Sequence, residues 1–132
     1  MMKKISGAVA VFAATSALIA PTQAFASSAP ADPTCGAYPG LTRSSNGKQI
    51  VFSGYFECGD SWGKYVEVQA YMGDPHIQNF QSKTMRTCDG GARCDGYPYS
   101  MPDAPGEQTY CTIVSGREAN YAPTLGKYCR VL

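Results

Sequence analysis

Residues 49–58, Gln-Ile-Val-Phe-Ser-Gly-Tyr-Phe-Glu-Cys, alternate between two kinds of side chain over their whole length. Ile50, Phe52, Gly54, Phe56 and Cys58 share one face at period two, and Gln49, Val51, Ser53, Tyr55 and Glu57 share the other. That spacing is the signature of a half-buried β-strand. Gly59-Asp60-Ser61-Trp62-Gly63 supplies a turn, after which Lys64 to Met72 alternates again. Val66, Val68, Ala70 and Met72 are assigned inward, and Tyr65, Glu67, Gln69 and Tyr71 outward. Two such strands joined by a short turn predict a β-hairpin.

Working outward, the other elements are shorter. Gly73-Asp74-Pro75 marks a turn, and Phe80 to Cys88 reads as a mostly polar edge strand. Tyr110 to Ser115 places Cys111 and Ile113 on one face, and Lys127 to Leu132 places Cys129 and Val131 together. A strand near Leu41 is only weakly signalled. Asp89 to Gln108 and Gly116 to Gly126 are rich in Gly and Pro, and both read as loops. Five to seven short strands with no helix predict an all-β domain. The expected form is a single antiparallel β-sandwich with an immunoglobulin-like outline and three disulfides. A small β-barrel is the alternative.

The N-terminus has the make-up of an export signal. Lys3 and Lys4 precede an uncharged apolar run from Ile5 to Ile19, Pro21 breaks it, and Ala24-Phe25-Ala26 offers a small-x-small cleavage pattern. The run is too short for a comfortable membrane span. Residues 1–26 are therefore read as a signal peptide, 27–34 as a flexible mature N-terminus, and 35–132 as one disulfide-stabilised β domain. Without Lys3 and Lys4, nine basic residues face ten acidic ones, for a net charge of about −1. The basic residues are scattered singly, so neither a nucleic-acid footprint nor a membrane-binding patch is expected. The predicted location is extracellular.

All six cysteines, Cys35, Cys58, Cys88, Cys94, Cys111 and Cys129, lie after that signal. An even count in a short exported chain reads as a disulfide framework, although six cysteines allow fifteen pairings. The flexible stretch Asp89-Gly90-Gly91-Ala92-Arg93 favours Cys88–Cys94. Cys111 and Cys129, both assigned to inward strand faces, are matched with each other, which leaves Cys35 for Cys58. Cys88–Cys94 is expected to pin the base of a loop. No Cys pair has zinc spacing, and His76 is the single histidine, so neither metal nor cofactor is predicted.

Catalytic signals are weak. A nucleophilic mechanism needs His76 as base, and Gly-x-Ser-x-Gly is absent. Glu57, Asp60, Glu67 and Asp74 could supply paired carboxylates, but a solvated sheet face accounts for them equally well. A small hydrolase is thus the least favoured reading. Tyr55, Tyr65 and Tyr71 are placed together on the outward face of the expected hairpin, with Trp62 at its tip. Tyrosine combines apolar area with low side-chain entropy and suits a binding surface. The Asp89–Gln108 loop adds Arg93, Tyr97, Tyr99 and Met101 beside Pro98 and Pro102. Such a stiffened loop suits insertion into a partner, because ordering costs are reduced before binding.

The export signal, the Cys35-to-Cys58 opening, the Cys88-x₅-Cys94 ring and the Tyr110-Cys111…Cys129 ending together resemble small secreted β-sandwich proteins of actinobacteria. That group includes enzyme inhibitors, ligand-carrying apoproteins and subunits of secreted antibacterial toxin complexes. The chain is also similar in size and export to the Streptomyces subtilisin inhibitors, but six cysteines depart from their usual four, and no reactive-site residue carries over. The resemblance implies an extracellular, non-catalytic interaction module, either an inhibitor or an adaptor. Arg93, Tyr97, Tyr99 and Met101 lead its expected protein contacts. A carbohydrate- or small-ligand-binding sandwich using Trp62, Tyr65 and Tyr71 is the alternative.

Overall fold

The computed structural model describes residues 29–74 and 77–132. The signal-peptide stretch 1–26 and His76 lie outside the described residues. Among the described residues, eight antiparallel strands form two sheets: β1 (Gly36–Arg43), β2 (Gln49–Glu57), β3 (Lys64–Asp74), β4 (Ile77–Cys88), β5 (Arg93–Asp95), β6 (Tyr99–Pro102), β7 (Thr109–Glu118) and β8 (Thr124–Val131). There is no helix among the described residues. The first sheet places β2 between β1 and the broken strand β5/β6, and the second runs β4-β3-β7-β8. In an immunoglobulin constant domain the fourth strand belongs to the first sheet. Here it lies on the edge of the second.

The expected hairpin of residues 49–72 does not form. β2 pairs with β1, β5 and β6, whereas β3 pairs with β4 and β7 in the opposite sheet. Alternation reports which face of a strand is buried, not which strand lies beside it. Ile50, Phe52 and Phe56 from β2 bury their face against Val66, Val68 and Ala70 from β3, so the two strands stack across the core. The hairpin of the first sheet is instead β1–β2. Its turn closes with Ser44 N–H donating to Gln49 O at 2.9 Å, and Gly47 adopts φ 75°, a left-handed conformation that favours glycine. β1 extends over eight residues despite Pro39. A proline is tolerated there because an edge strand need not donate every N–H to a ladder.

The two sheets approach most closely where one of them carries glycine. A methyl group on Gly116 of β7 would lie 2.2 Å from the Phe56 ring, and one on Gly54 of β2 would lie 2.3 Å from Val114. Each glycine is thus a socket for a core side chain of the opposite sheet. Tyr110 is wholly buried; its hydroxyl donates to Asp103 Oδ1 at 3.0 Å and accepts from Ala104 N–H at 3.0 Å. Burial pushes the Tyr110 phenol above its ordinary value.

The disulfides are Cys35–Cys58, Cys88–Cys94 and Cys111–Cys129, as the spacing favours. Two of them have surroundings different from those expected. Cys94 is fully buried and faces the core, so its bond to Cys88 joins the edge of one sheet to the edge of the other rather than pinning a loop. Cys111 lies opposite Tyr71 and Cys129, on the outer face of the second sheet. The inward side chains of β7 are Tyr110, Thr112 and Val114; apolar Ile113 made the other face look like the inner one. The two expected loops also carry strand segments. Asp89–Gln108 is mostly loop but contains β5 and β6, while β7 ends and β8 begins within 116–126. Both stretches gain strand order by pairing with a neighbour, a source of order their own composition does not show.

Candidate functional site

Three strands converge on the outer face of the first sheet. Register sets Tyr38 of β1 directly opposite Tyr55 of β2, and Tyr55 directly opposite Asp95 of β5. The Tyr38 and Tyr55 rings stack with centroids 4.8 Å apart at an interplanar angle of 24°. The Arg93 guanidinium lies 3.6 Å from the Tyr55 centroid on the next row, and its Nε donates to Asp95 Oδ1 at 2.8 Å. The result is a continuous Tyr38–Tyr55–Arg93 stack in which each plane orients the next. It lines a shallow groove of about 510 Å³ with Gly40, Ser53 and Pro98. Gly40 and Ser53 keep the groove low beside tall aromatic neighbours, which is what makes it concave. Among the described residues neither tyrosine hydroxyl has a hydrogen-bond partner.

The residues singled out in sequence do not form one surface. Arg93 belongs to the stack. Tyr97 is exposed beside it on the β5–β6 connection, with the Arg86 guanidinium 5.2 Å from its ring. Arg86 Nη1 donates to Asp95 O at 3.0 Å, and Thr84 Oγ1 donates to Tyr97 O, so this connection is fastened to β4. Tyr99 and Met101 do not join Arg93 and Tyr97. Both sit in β6 opposite Phe52 and Ile50 and pack against the core, with the Tyr99 ring 6.0 Å from Phe52. Period two turns this pair inward, where both are partly buried, and leaves Ser100 and Pro102 exposed.

Tyr65 and Tyr71 face outward from β3 and therefore lie on the sheet opposite Tyr55. Their polar groups satisfy one another along the strand. Tyr65 O–H donates to Glu67 Oε2 at 2.9 Å, Gln69 Nε2 to Glu67 Oε1 at 2.7 Å, and Tyr71 O–H to Gln69 Oε1 at 3.0 Å. Trp62 is 73% exposed on the β2–β3 connection. Tyr38 and Asp95 complete the stack and were missed in sequence. Tyr38 sits beside Pro39 in a strand that propensity under-reports, and Asp95 lies in a segment read as a loop.

Sequence reading also missed a buried ionic knot beneath the β2–β3 connection. The Lys64 side chain is wholly buried, and its Nζ donates to Trp62 O at 2.8 Å, Gly91 O at 2.8 Å and Asp60 O at 3.1 Å. Asp60 Oδ1 lies 3.4 Å from Nζ and Glu118 Oε2 lies 3.6 Å from it. Asp32 is buried alongside, accepting from Thr34 N–H at 2.8 Å. Burial, then the Asp60 and Asp32 carboxylates, push Glu118 up to about 7. Asp60 is held below its ordinary value chiefly by a hydrogen bond from Glu118; Asp32 is lowered first by Thr34 N–H and then by Glu118. A proton kept by Glu118 and shared with Asp60 and Asp32 fits all three directions.

The knot ties the N-terminal segment to the domain. Ala31 bridges Ala122, whose N–H donates to Pro30 O at 3.1 Å. Asp32 and Glu118 also lie close to the sulfurs of Cys35 and Cys58. Those sulfurs are bonded to each other, which removes the thiolates a soft metal would need.

No family model matches the chain, and no curated protein does. Among solved structures it is similar to CsgH of R. palustris, with a TM-score of 0.52 at 7% identity over 70% of this chain and 89% of that one. It is also similar to the curli protein CsgC of E. coli, with a TM-score of 0.49 at 8% identity over 71% of this chain and 97% of that one. The likeness to CsgH is one of fold. A small two-sheet β domain is shared at an identity too low to carry residues across.

Proposed function

We propose that this protein is an extracellular, non-catalytic interaction module that presents the Tyr38–Tyr55–Arg93 stack to a protein partner, as an inhibitor or as an adaptor in an exported assembly. The stack itself carries the reading. Aromatic rings and arginine dominate binding hot spots, and here Tyr38 and Arg93 are exposed on either side of the half-buried Tyr55, already held in place by one another and by Asp95. A surface ordered before contact loses little entropy on binding. Tyr97, exposed between the groove-lining Gly96 and Pro98, extends the same surface. The three disulfides and the absence of any free thiol suit an oxidising compartment. The resemblance to secreted actinobacterial sandwiches supports the same location.

Affinity capture from culture supernatant tests the reading. The wild type is expected to retain a protein that Tyr38→Ala/Tyr55→Ala releases, with both variants folded. Identical capture by the two would remove the stack as the binding surface.

A further inference from the structure

Trp62 is the single tryptophan of the chain and is 73% exposed, yet its backbone is held on both sides. Its backbone N–H donates to Asp60 Oδ1 at 3.1 Å and its backbone carbonyl accepts from the buried Lys64 Nζ at 2.8 Å. Tyr121 stands across from it, 42% exposed, on a turn closed by its N–H donating to Glu118 O at 3.2 Å. Between the two rings lies a hollow of about 410 Å³ floored by Gly63, Ala119 and Asn120 and also lined by Glu118. A second hollow of about 490 Å³ shares those four residues and continues to Lys64, Tyr65, Thr87 and Arg117. The two run together as one groove across the end of the second sheet, away from the outer face of the first.

We propose that this groove binds a glycan chain, with Trp62 and Tyr121 stacking on one sugar ring and Asn120, Thr87 and Arg117 receiving the hydroxyls of that ring and the next. The chemistry is complementary. A pyranose has an apolar face of weakly positive C–H groups and a rim of hydroxyls, while an aromatic ring has a negative face. Binding sites of this kind combine aromatic walls with a few polar groups that fix orientation. The small floor residues leave room for a ring between the walls. An extended peptide is a poorer fit, because β3 is paired on both sides from Lys64 onward and offers no free edge for strand addition. Lys64 and Glu118 border the groove, but their side chains are buried and paired with each other, so Arg117 is the cation within reach of the ligand, and it favours sugars that carry a carboxylate.

Because Trp62 is the sole tryptophan, its fluorescence reports on the groove directly. The probes are hexasaccharides of cellulose, chitin and polygalacturonate, titrated into the oxidised, folded protein. A saturable change in Trp62 emission is expected with at least one of them, polygalacturonate being strongest. Tyr121→Ala, which keeps the reporter, should weaken that binding about tenfold or more, and Arg93→Ala should leave it unchanged. No saturable change with any of the three would overturn the proposal, as would binding that survives Tyr121→Ala. A response to a proline-rich peptide with none to the sugars would replace the ligand class.

Discussion

Lys64 and Arg93 are two cations of one small domain, and the fold treats them in opposite ways. Lys64 is sealed from water, with three backbone carbonyls and the Asp60 and Glu118 carboxyls gathered around it. Arg93 is half exposed, lies flat on Tyr55 and is held by Asp95 alone. A compact ammonium suits a convergent cage of oxygens, whereas a planar guanidinium suits stacking and a single carboxylate. The first cation fastens three chain segments at one end of the sandwich. The second completes an open surface. If the stack is the proposed partner surface, stability and recognition lie in separate regions, and each should break without the other.

The largest effect is expected at the knot. Lys64→Met leaves Asp60 and Glu118 without their cation and three carbonyls without a donor, at a cost of about 3–5 kcal/mol. Thermal unfolding should show it as a fall in Tm of well over ten degrees. A fall of only a degree or two would mean that the knot is not a structural centre.

A pH effect comes next. Glu118 keeps its proton up to about 7 in the folded chain but releases it near the ordinary glutamate value when unfolded. Between those two values the native state binds more protons, so stability declines as pH rises and levels off above about 7. The lowered Asp32 and Asp60 act the other way, and their contribution is lost as pH falls below the usual aspartate range. Stability should therefore peak at mildly acidic pH, with Tm lower at pH 8 by roughly 5 °C or more. Glu118→Gln, a neutral isostere of the protonated acid, should flatten this slope. A wild-type Tm that climbs from pH 5 to 8 would refute the shared proton.

At the stack the effect moves from folding to binding. Arg93→Ala and Tyr55→Ala should each leave Tm nearly unchanged and weaken partner binding about thirtyfold or more, as hot-spot residues do. The smallest effect is expected on the opposite sheet. Tyr65→Phe removes one hydrogen bond to Glu67, costs about 1 kcal/mol of stability and leaves partner binding intact. A loss of binding in Tyr65→Phe would show that recognition is not confined to the first sheet.

The sequence revealed faces more readily than neighbours. Ile50, Phe52 and Phe56 and then Val66, Val68 and Ala70 are inward as their alternation indicates. Nothing in that alternation says whether the two strands pair or stack, and a half-buried strand satisfies the same pattern in either case. The cysteine pairing was legible because Cys88 and Cys94 are close in sequence and the remaining four divide between the chain ends. The candidate site was legible only in part. Arg93 and Tyr97 stood out as exposed, planar side chains near proline. Tyr38, however, lies 55 residues before Arg93, and only the β1–β2–β5 register brings it to the stack. Lys64 begins the second strand on the face it shares with Val66 and Val68, whereas Glu118 falls in a stretch read as a loop. That the two meet follows from β3–β7 pairing, which local sequence does not encode.

The most direct test of the central claim is quantitative capture from culture supernatant by four immobilised proteins: wild type, Arg93→Ala, Tyr55→Ala and Tyr65→Phe. Mass spectrometry should find one protein enriched by the wild type and by Tyr65→Phe, and depleted from both stack variants while they remain folded. Equal enrichment on all four would contradict the assignment of the Tyr38–Tyr55–Arg93 face as the partner surface.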